Sequence, residues 1–145
     1  MIVLATGASG FLGRAVVAEL ISAGHEVRTL QRRPSGVAGA HDIRGSVTDT
    51  TTVSDAVAGA DAVVHLAAKV SLAGDRREFH DVNVGGTTTL LDAAAAAGVA
   101  RFVQVSSPSV AHAGSALAGA GADPADPVRA RGDGRGSRHP CRRVR

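Results

Sequence analysis

Tyrosine and tryptophan are absent from the 145 residues, and phenylalanine occurs only three times. A core must therefore be assembled from Ala, Val and Leu, with little help from large aromatic rings. One cysteine, Cys141, excludes a disulfide framework and any four-cysteine zinc site. Lys69 is the only lysine, and His41, His80 and His112 are scattered without metal-ligand spacing. No apolar run approaches the roughly 18 residues of a membrane span. The apolar start, Met1–Ala5, lacks a basic flank and is too short for a signal peptide, so the expected compartment is the cytoplasm.

What is present fits one globular domain: 44% hydrophobic and 20% charged positions, with a net charge of +3. Such a balance excludes disorder over most of the chain. The positive charge is confined to one end. Residues 126–145 hold seven Arg against Asp126 and Asp133, and the preceding residues are mildly acidic. A nucleic-acid domain would spread basic residues over a folded face with aromatics among them, so no nucleic-acid partner is expected.

Met1–Thr6 is a continuous apolar run ending at glycine, the pattern of a strand buried on both faces. Phe11–Ala23 has a helical period, stopped by Gly24. Strands are expected at His25–Leu30, Asp42–Arg44, Asp61–Ala68 and Arg101–Ser106, with helices at Thr48–Ala58 and His80–Gly98. Alternation at this spacing predicts right-handed βαβ units, and hence an α/β fold with a Rossmann-type, doubly wound parallel sheet of about five strands. Residues 1–110 are expected to form the dinucleotide-binding domain. Beyond them the periodicity fails, and residues 111–145 are an irregular Ala/Gly, then Arg/Gly/Pro-rich tail with no expected helix or strand.

The sharpest motif is Thr6-Gly7-Ala8-Ser9-Gly10-Phe11-Leu12-Gly13, between the first strand and the first helix. Gly7 permits a tight turn, Gly10 lets a pyrophosphate approach the backbone, and Gly13 lets the helix pack close. The helix N-terminus supplies N–H groups and positive dipole to the phosphates. With 18 glycines the spacing alone is weak; the strand before it and the helix after it give it weight.

This spacing resembles the extended branch of the short-chain dehydrogenase/reductase superfamily. The likeness continues in Asp61-Ala-Val-Val-His65-Leu66-Ala67-Ala68, in Asn83-Val84-Gly85-Gly86-Thr87, and in Gly98 to Ser107, which ends in Ser-Ser. It is similar to NAD(P)-dependent epimerase/dehydratases and to the 3β-hydroxysteroid dehydrogenase group. The resemblance implies cofactor contacts at Gly7, Ser9, Gly10, Phe11, Leu12, Gly13, Arg32, Val47, Leu66, Ala67, Ala68 and Val105. It also implies a small-molecule carbonyl or hydroxyl substrate and a homodimer.

The segment Gln31-Arg32-Arg33 ends the second strand without an acid. A guanidinium there suits a 2′-phosphate, which favours NADP over NAD; a solvated basic loop is the plainer reading. Ser46 stands where the family usually has an Asp that holds the adenine amino group. His65 is expected as a packed or loop-bonded histidine, Lys69 as a solvated loop residue, and Asn83 as a tie between helix and sheet. The resemblance places Ser107 at the family's catalytic serine, with Ser109 as fallback, whereas the family's Tyr-x-x-x-Lys cannot occur in a chain without tyrosine. A truncated or frame-shifted product, catalytically inactive by itself, is the corresponding expectation. A non-enzymatic NAD(P)-binding regulatory module is the alternative.

Overall fold

The structure is a computed structural model and describes residues 1–70 and 75–107. The expected tail at 111–145, with Ser109, His112 and Cys141, lies outside the described residues. Met1–Val105 form one compact unit; Ser106 opens a second, of which Ser106 and Ser107 are described.

Five strands make one parallel sheet: β1 (Ile2–Thr6), β2 (Glu26–Gln31), β3 (His41–Arg44), β4 (Ala62–His65) and β5 (Arg101–Gln104). Their order is β3-β2-β1-β4-β5. The helices are α1 (Phe11–Ser22), α2 (Thr50–Val57), α3 (Arg76–His80) and α4 (Gly86–Ala96). A π-helical turn, Asp81–Gly85, joins α3 to α4, with the Gly86 N–H bonded to the Asp81 carbonyl five residues back.

The two faces of the sheet are filled differently. On one, Leu4, Leu30 and Val63 meet Val53 and Val57 of α2 and Leu90 and Ala94 of α4. On the other, Ala5 and Val27 pack under Val17 of α1, with Val37 and Ala40 of the β2–β3 loop closing the edge. Helices thus cover both faces, as a doubly wound sheet requires. The π turn lets α4 approach closely: a Cβ on Gly86 would lie 2.5 Å from Val47 Cγ2. Each return from a helix to β2, β4 or β5 turns on a glycine with positive φ, at Gly24, Gly59 and Gly98, and a Cβ at any of them would meet nothing within 4 Å among the described residues.

Most expected elements occur where the pattern put them, with shifted ends. The second strand runs one residue further than His25–Leu30, so Gln31 belongs to β2 rather than to the loop. β4 stops at His65, leaving Leu66–Ala68 as loop. The helical stretch before α4 begins at Arg76, four residues ahead of His80, because Asp75 caps it by accepting from the Arg77 N–H at 2.9 Å.

Candidate functional site

The chain leaves β1 for α1 on one face of the sheet, while α4 covers the other, and β1 and β4 lie side by side. This is the crevice at which open α/β sheets bind ligands, outside the carboxyl ends of the strands. The loops after β1, β2 and β4 all open there.

In the β1–α1 loop the three glycines differ in what surrounds them. Gly7 has φ +74°, and a Cβ on it would lie 2.7 Å from the Ala67 nitrogen, so the loops after β1 and β4 touch through their backbones. Gly13 is more tightly enclosed: its Cβ would lie 2.2 Å from the Gly7 carbonyl oxygen and 2.8 Å from Ala8 Cα. Among the described residues, a Cβ on Gly10 would meet only the Gly7 oxygen, at 3.3 Å. Gly10 caps α1 without any side-chain hydrogen bond to the helix N–H groups, and its own N–H bonds to Gly7 O at 3.1 Å. Gly7 therefore lets the loops after β1 and β4 meet, Gly13 lets α1 start close against the first loop, and Gly10 leaves an open backbone face at the positive end of a 12-residue helix. Phe11 is 99% exposed and Leu12 is also exposed, so the first turn of α1 meets solvent. Ser9, Phe11, Arg14 and Ala15 line a shallow concavity there.

Behind β1 and β4 lies a buried hydrogen-bond chain whose direction is fixed. The Thr87 hydroxyl donates its only proton to the Asn83 carbonyl at 2.8 Å, so it accepts from His65 Nε2 at 3.0 Å. Nδ1 is then the acceptor, and the Thr6 hydroxyl donates to it at 2.6 Å while accepting from the Ala67 N–H at 3.1 Å. Burial holds the His65 pKa down, from 6.5 to about 4, so the ring is neutral. The Asn83 side chain grips both main-chain groups of Lys69, accepting from its N–H at 2.7 Å and donating to its carbonyl at 3.1 Å. Leu66–Ala68 are thereby held at both ends. Asn83 ties its helix to this loop rather than to a strand. Lys69 is not simply solvated, as its ammonium lies 2.6 Å from Glu78 and 5.6 Å from the Phe79 ring centroid.

At the end of β2, Arg32 and Arg33 are exposed, and Gln31 is buried within a polar network with Thr29, Ser35 and Asp42. Ser46 Oγ bonds to Thr48 Oγ1 at 2.8 Å. Val47 is turned into the core against Gly86, so its side chain serves packing and only its backbone is left for a ligand. Val105 is exposed beyond β5 and its N–H bonds to the His65 carbonyl at 3.0 Å. Ser107 is exposed and belongs to the second unit. The structure therefore brings together Gly7, Ser9, Gly10, Phe11, Leu12 and Gly13 in the first loop. It sets Leu66 and Ala67 against that loop, and it leaves Arg32, Val47 and Val105 on separate segments.

The motifs leave out two residues near the site, Arg14 beside the first loop and Asp42 beside the end of β2. Arg14 follows the last motif glycine, and its guanidinium approaches Gly36 of the β2–β3 loop. Asp42 sits opposite Thr29 across the β2–β3 ladder. Their spacing in the sequence carries no signal; the alternation Val27, Thr29, Gln31 shows only that polar side chains share the α1 face. Among the described residues no group of three His, Cys, Asp or Glu is placed to hold a metal ion.

Residues 3–131 match the NAD dependent epimerase/dehydratase family. The chain belongs to that family. A 2-alkyl-3-oxoalkanoate reductase of Stenotrophomonas maltophilia is 41% identical over 127 residues, covering 85% of this chain and 38% of the relative. A 3β-hydroxysteroid dehydrogenase/Δ5→4-isomerase of Mycobacterium tuberculosis is 41% identical over 128 residues, covering 81% of this chain and 34% of the relative. A short-chain dehydrogenase/reductase superfamily protein of Agrobacterium tumefaciens, solved with bound NAD, superposes with a TM-score of 0.72 at 49% identity, over 77% of this chain and 34% of that one. The chain thus spans little more than a third of the length of these relatives.

Proposed function

We propose that this chain binds a nicotinamide dinucleotide along the carboxyl ends of β1, β2 and β4. In this reading, residues 1–110 are the cofactor-binding domain of an oxidoreductase or epimerase of the extended short-chain dehydrogenase type. The observation that carries the reading is the open backbone face of Gly10 at the start of α1, between Gly7 and Gly13, which backbone contacts hold in place. A pyrophosphate fits such a face because, among the described residues, no side chain caps the helix and none fills the space over Gly10. Leu66–Ala68 border the same crevice, clamped through Thr6 and Asn83. Bound there, the dinucleotide would supply or accept the hydride. NAD and NADP are both within this reading, and Arg32, exposed directly after β2, is the feature favouring NADP. The substrate is a small molecule with a carbonyl or hydroxyl group, towards which Ser107 would donate a hydrogen bond.

Titration of the chain with NAD and NADP tests the reading. Both are expected to bind, and Gly10→Val, which places a branched side chain on the open face, should abolish binding of both. Affinity retained within a few-fold in that variant would remove the phosphate loop from the site.

The second reading, a non-enzymatic dinucleotide-binding regulatory module, is favoured by one observation: these 145 residues contain no tyrosine to act as the proton donor. It predicts dinucleotide binding without turnover of any carbonyl or hydroxyl substrate.

A further inference from the structure

The network at the end of β2 leaves one atom unsatisfied. Gln31 Oε1 is buried and, among the described residues, is the buried side-chain atom without a hydrogen-bond partner, although Gln31 as a whole keeps 8% of its surface exposed. Which end of the amide this is follows from the groups beside it. Burial alone would raise the Asp42 pKa, but hydrogen bonds from Ser35, Thr29 and Gln31 outweigh it and hold the carboxyl below its usual range. An ionised Asp42 only accepts. The Thr29 hydroxyl donates its single proton to Asp42 Oδ1 at 2.5 Å, so it offers Gln31 only lone pairs. The amide must meet these two acceptors with its NH2: Nε2 lies 2.9 Å from Thr29 Oγ1 and 3.3 Å from Asp42 Oδ1. A flipped amide would set oxygen against oxygen. The same carboxylate accepts from the Ser35 N–H at 2.9 Å, so Arg32–Pro34 bridge two residues held by one side chain.

We propose that Asp42 is a positioning residue for cofactor choice: directly and through Thr29 it turns the Gln31 amide so that β2 ends in a neutral acceptor, which takes the 2′-hydroxyl of NAD and opposes the 2′-phosphate of NADP. The proposal rests on the dinucleotide reading above. A ribose hydroxyl donates to an amide oxygen, whereas phosphate oxygens at neutral pH have mostly lone pairs to offer it. Arg32 and the oriented Gln31 therefore act in opposite directions, and Asp42 sets the balance.

The test is a double-mutant cycle on the full chain, read as the ratio of NAD to NADP affinity. Asp42→Asn can donate to the Gln31 oxygen and frees the amide to turn its NH2 outward. The ratio should then shift towards NADP by roughly three- to tenfold, the worth of one neutral hydrogen bond. In a Gln31→Leu background the same substitution should shift it by less than about twofold. An equal shift in both backgrounds would mean that Asp42 acts through its charge, and no shift in either would mean that the amide is not read; either result overturns the proposal. Failure of the unmodified chain to bind either dinucleotide overturns the dinucleotide reading itself, and so separates the two. Thr29→Val, which removes the relay, should reproduce the shift if Asp42→Asn fails to fold. In the ligand-free chain, the Gln31 side-chain NH2 should give a shifted, slowly exchanging pair of nitrogen-correlated NMR signals that Asp42→Asn averages towards solvent-exposed values. Solvent-like signals in the unmodified chain would also overturn the proposal.

Discussion

Gly10 and Gly13 stand three residues apart in one motif, yet their surroundings assign them different consequences. A methyl on Gly13 collides with backbone atoms of Gly7 and Ala8 that no rotamer change can move aside. Gly13→Ala should therefore cost about 1–3 kcal/mol or more, seen as a lowered denaturation midpoint. Gly10→Ala faces one contact at 3.3 Å and should cost less than about 1 kcal/mol, while dinucleotide affinity falls at least tenfold. Equal loss of stability in both would contradict the assignment. The glycine spacing was legible from the sequence because the tight turn at Gly7 and the close packing at Gly13 are local steric demands. Asp42 was not legible, because its partners are chosen by the β2–β3 register, which pairs it with Thr29 and leaves no mark on residue spacing. Val47 shows the converse: its place in the chain pointed to the cofactor, and the close approach of Gly86 turned its side chain into the core.

Between elements, the Thr6–His65–Thr87 chain joins the end of β1, the end of β4 and the start of α4. It works only with a neutral ring, since a protonated Nδ1 could no longer accept from Thr6. The folded pKa near 4 lies below the ordinary 6.5. Below pH 6.5 the unfolded chain takes up a proton that the folded chain refuses until about pH 4. Stability from this group is therefore complete above pH 6.5 and is lost as the pH falls towards 4, a change of ~3 kcal/mol. Denaturant melts across this window should show the slope, and His65→Gln should flatten it. An unchanged slope in that variant would place the titration elsewhere. The apolar run ending in His65 made a packed histidine readable in the sequence. The π turn was not readable, since Asp81–Gly85 carries no spacing signal that separates a five-residue hydrogen bond from a four-residue one.

Across the whole molecule, the alternation of apolar runs and helical periods carried the doubly wound parallel sheet into view, because right-handed crossovers between parallel strands put helices on its faces, while the strand order itself came from the structure. Among the described residues no helix is long and apolar enough to cross a membrane. With little more than a third of the relatives' length and no tyrosine, the chain by itself should give no measurable hydride transfer with saturating cofactor. A serine hydroxyl does not supply the proton unaided, and a positioned acid or base is worth about 10² to 10⁴ in rate. Nicotinamide absorbance, followed over a panel of hydroxysteroids, nucleotide sugars and oxoacyl compounds, is the check; turnover that vanishes in Ser107→Ala would contradict it. The three glycine returns at Gly24, Gly59 and Gly98 have a further consequence. They lie at the amino end of the sheet, clear of the other described residues, while every candidate ligand contact in the first unit lies towards the other end. The scaffold therefore has a side that can be rewired. A short flexible insertion beside Gly59 should leave dinucleotide affinity unchanged within about twofold, since lengthening a surface loop costs only about 0.6 kcal/mol per doubling. That end is where a fluorescent reporter or a tether to another protein belongs.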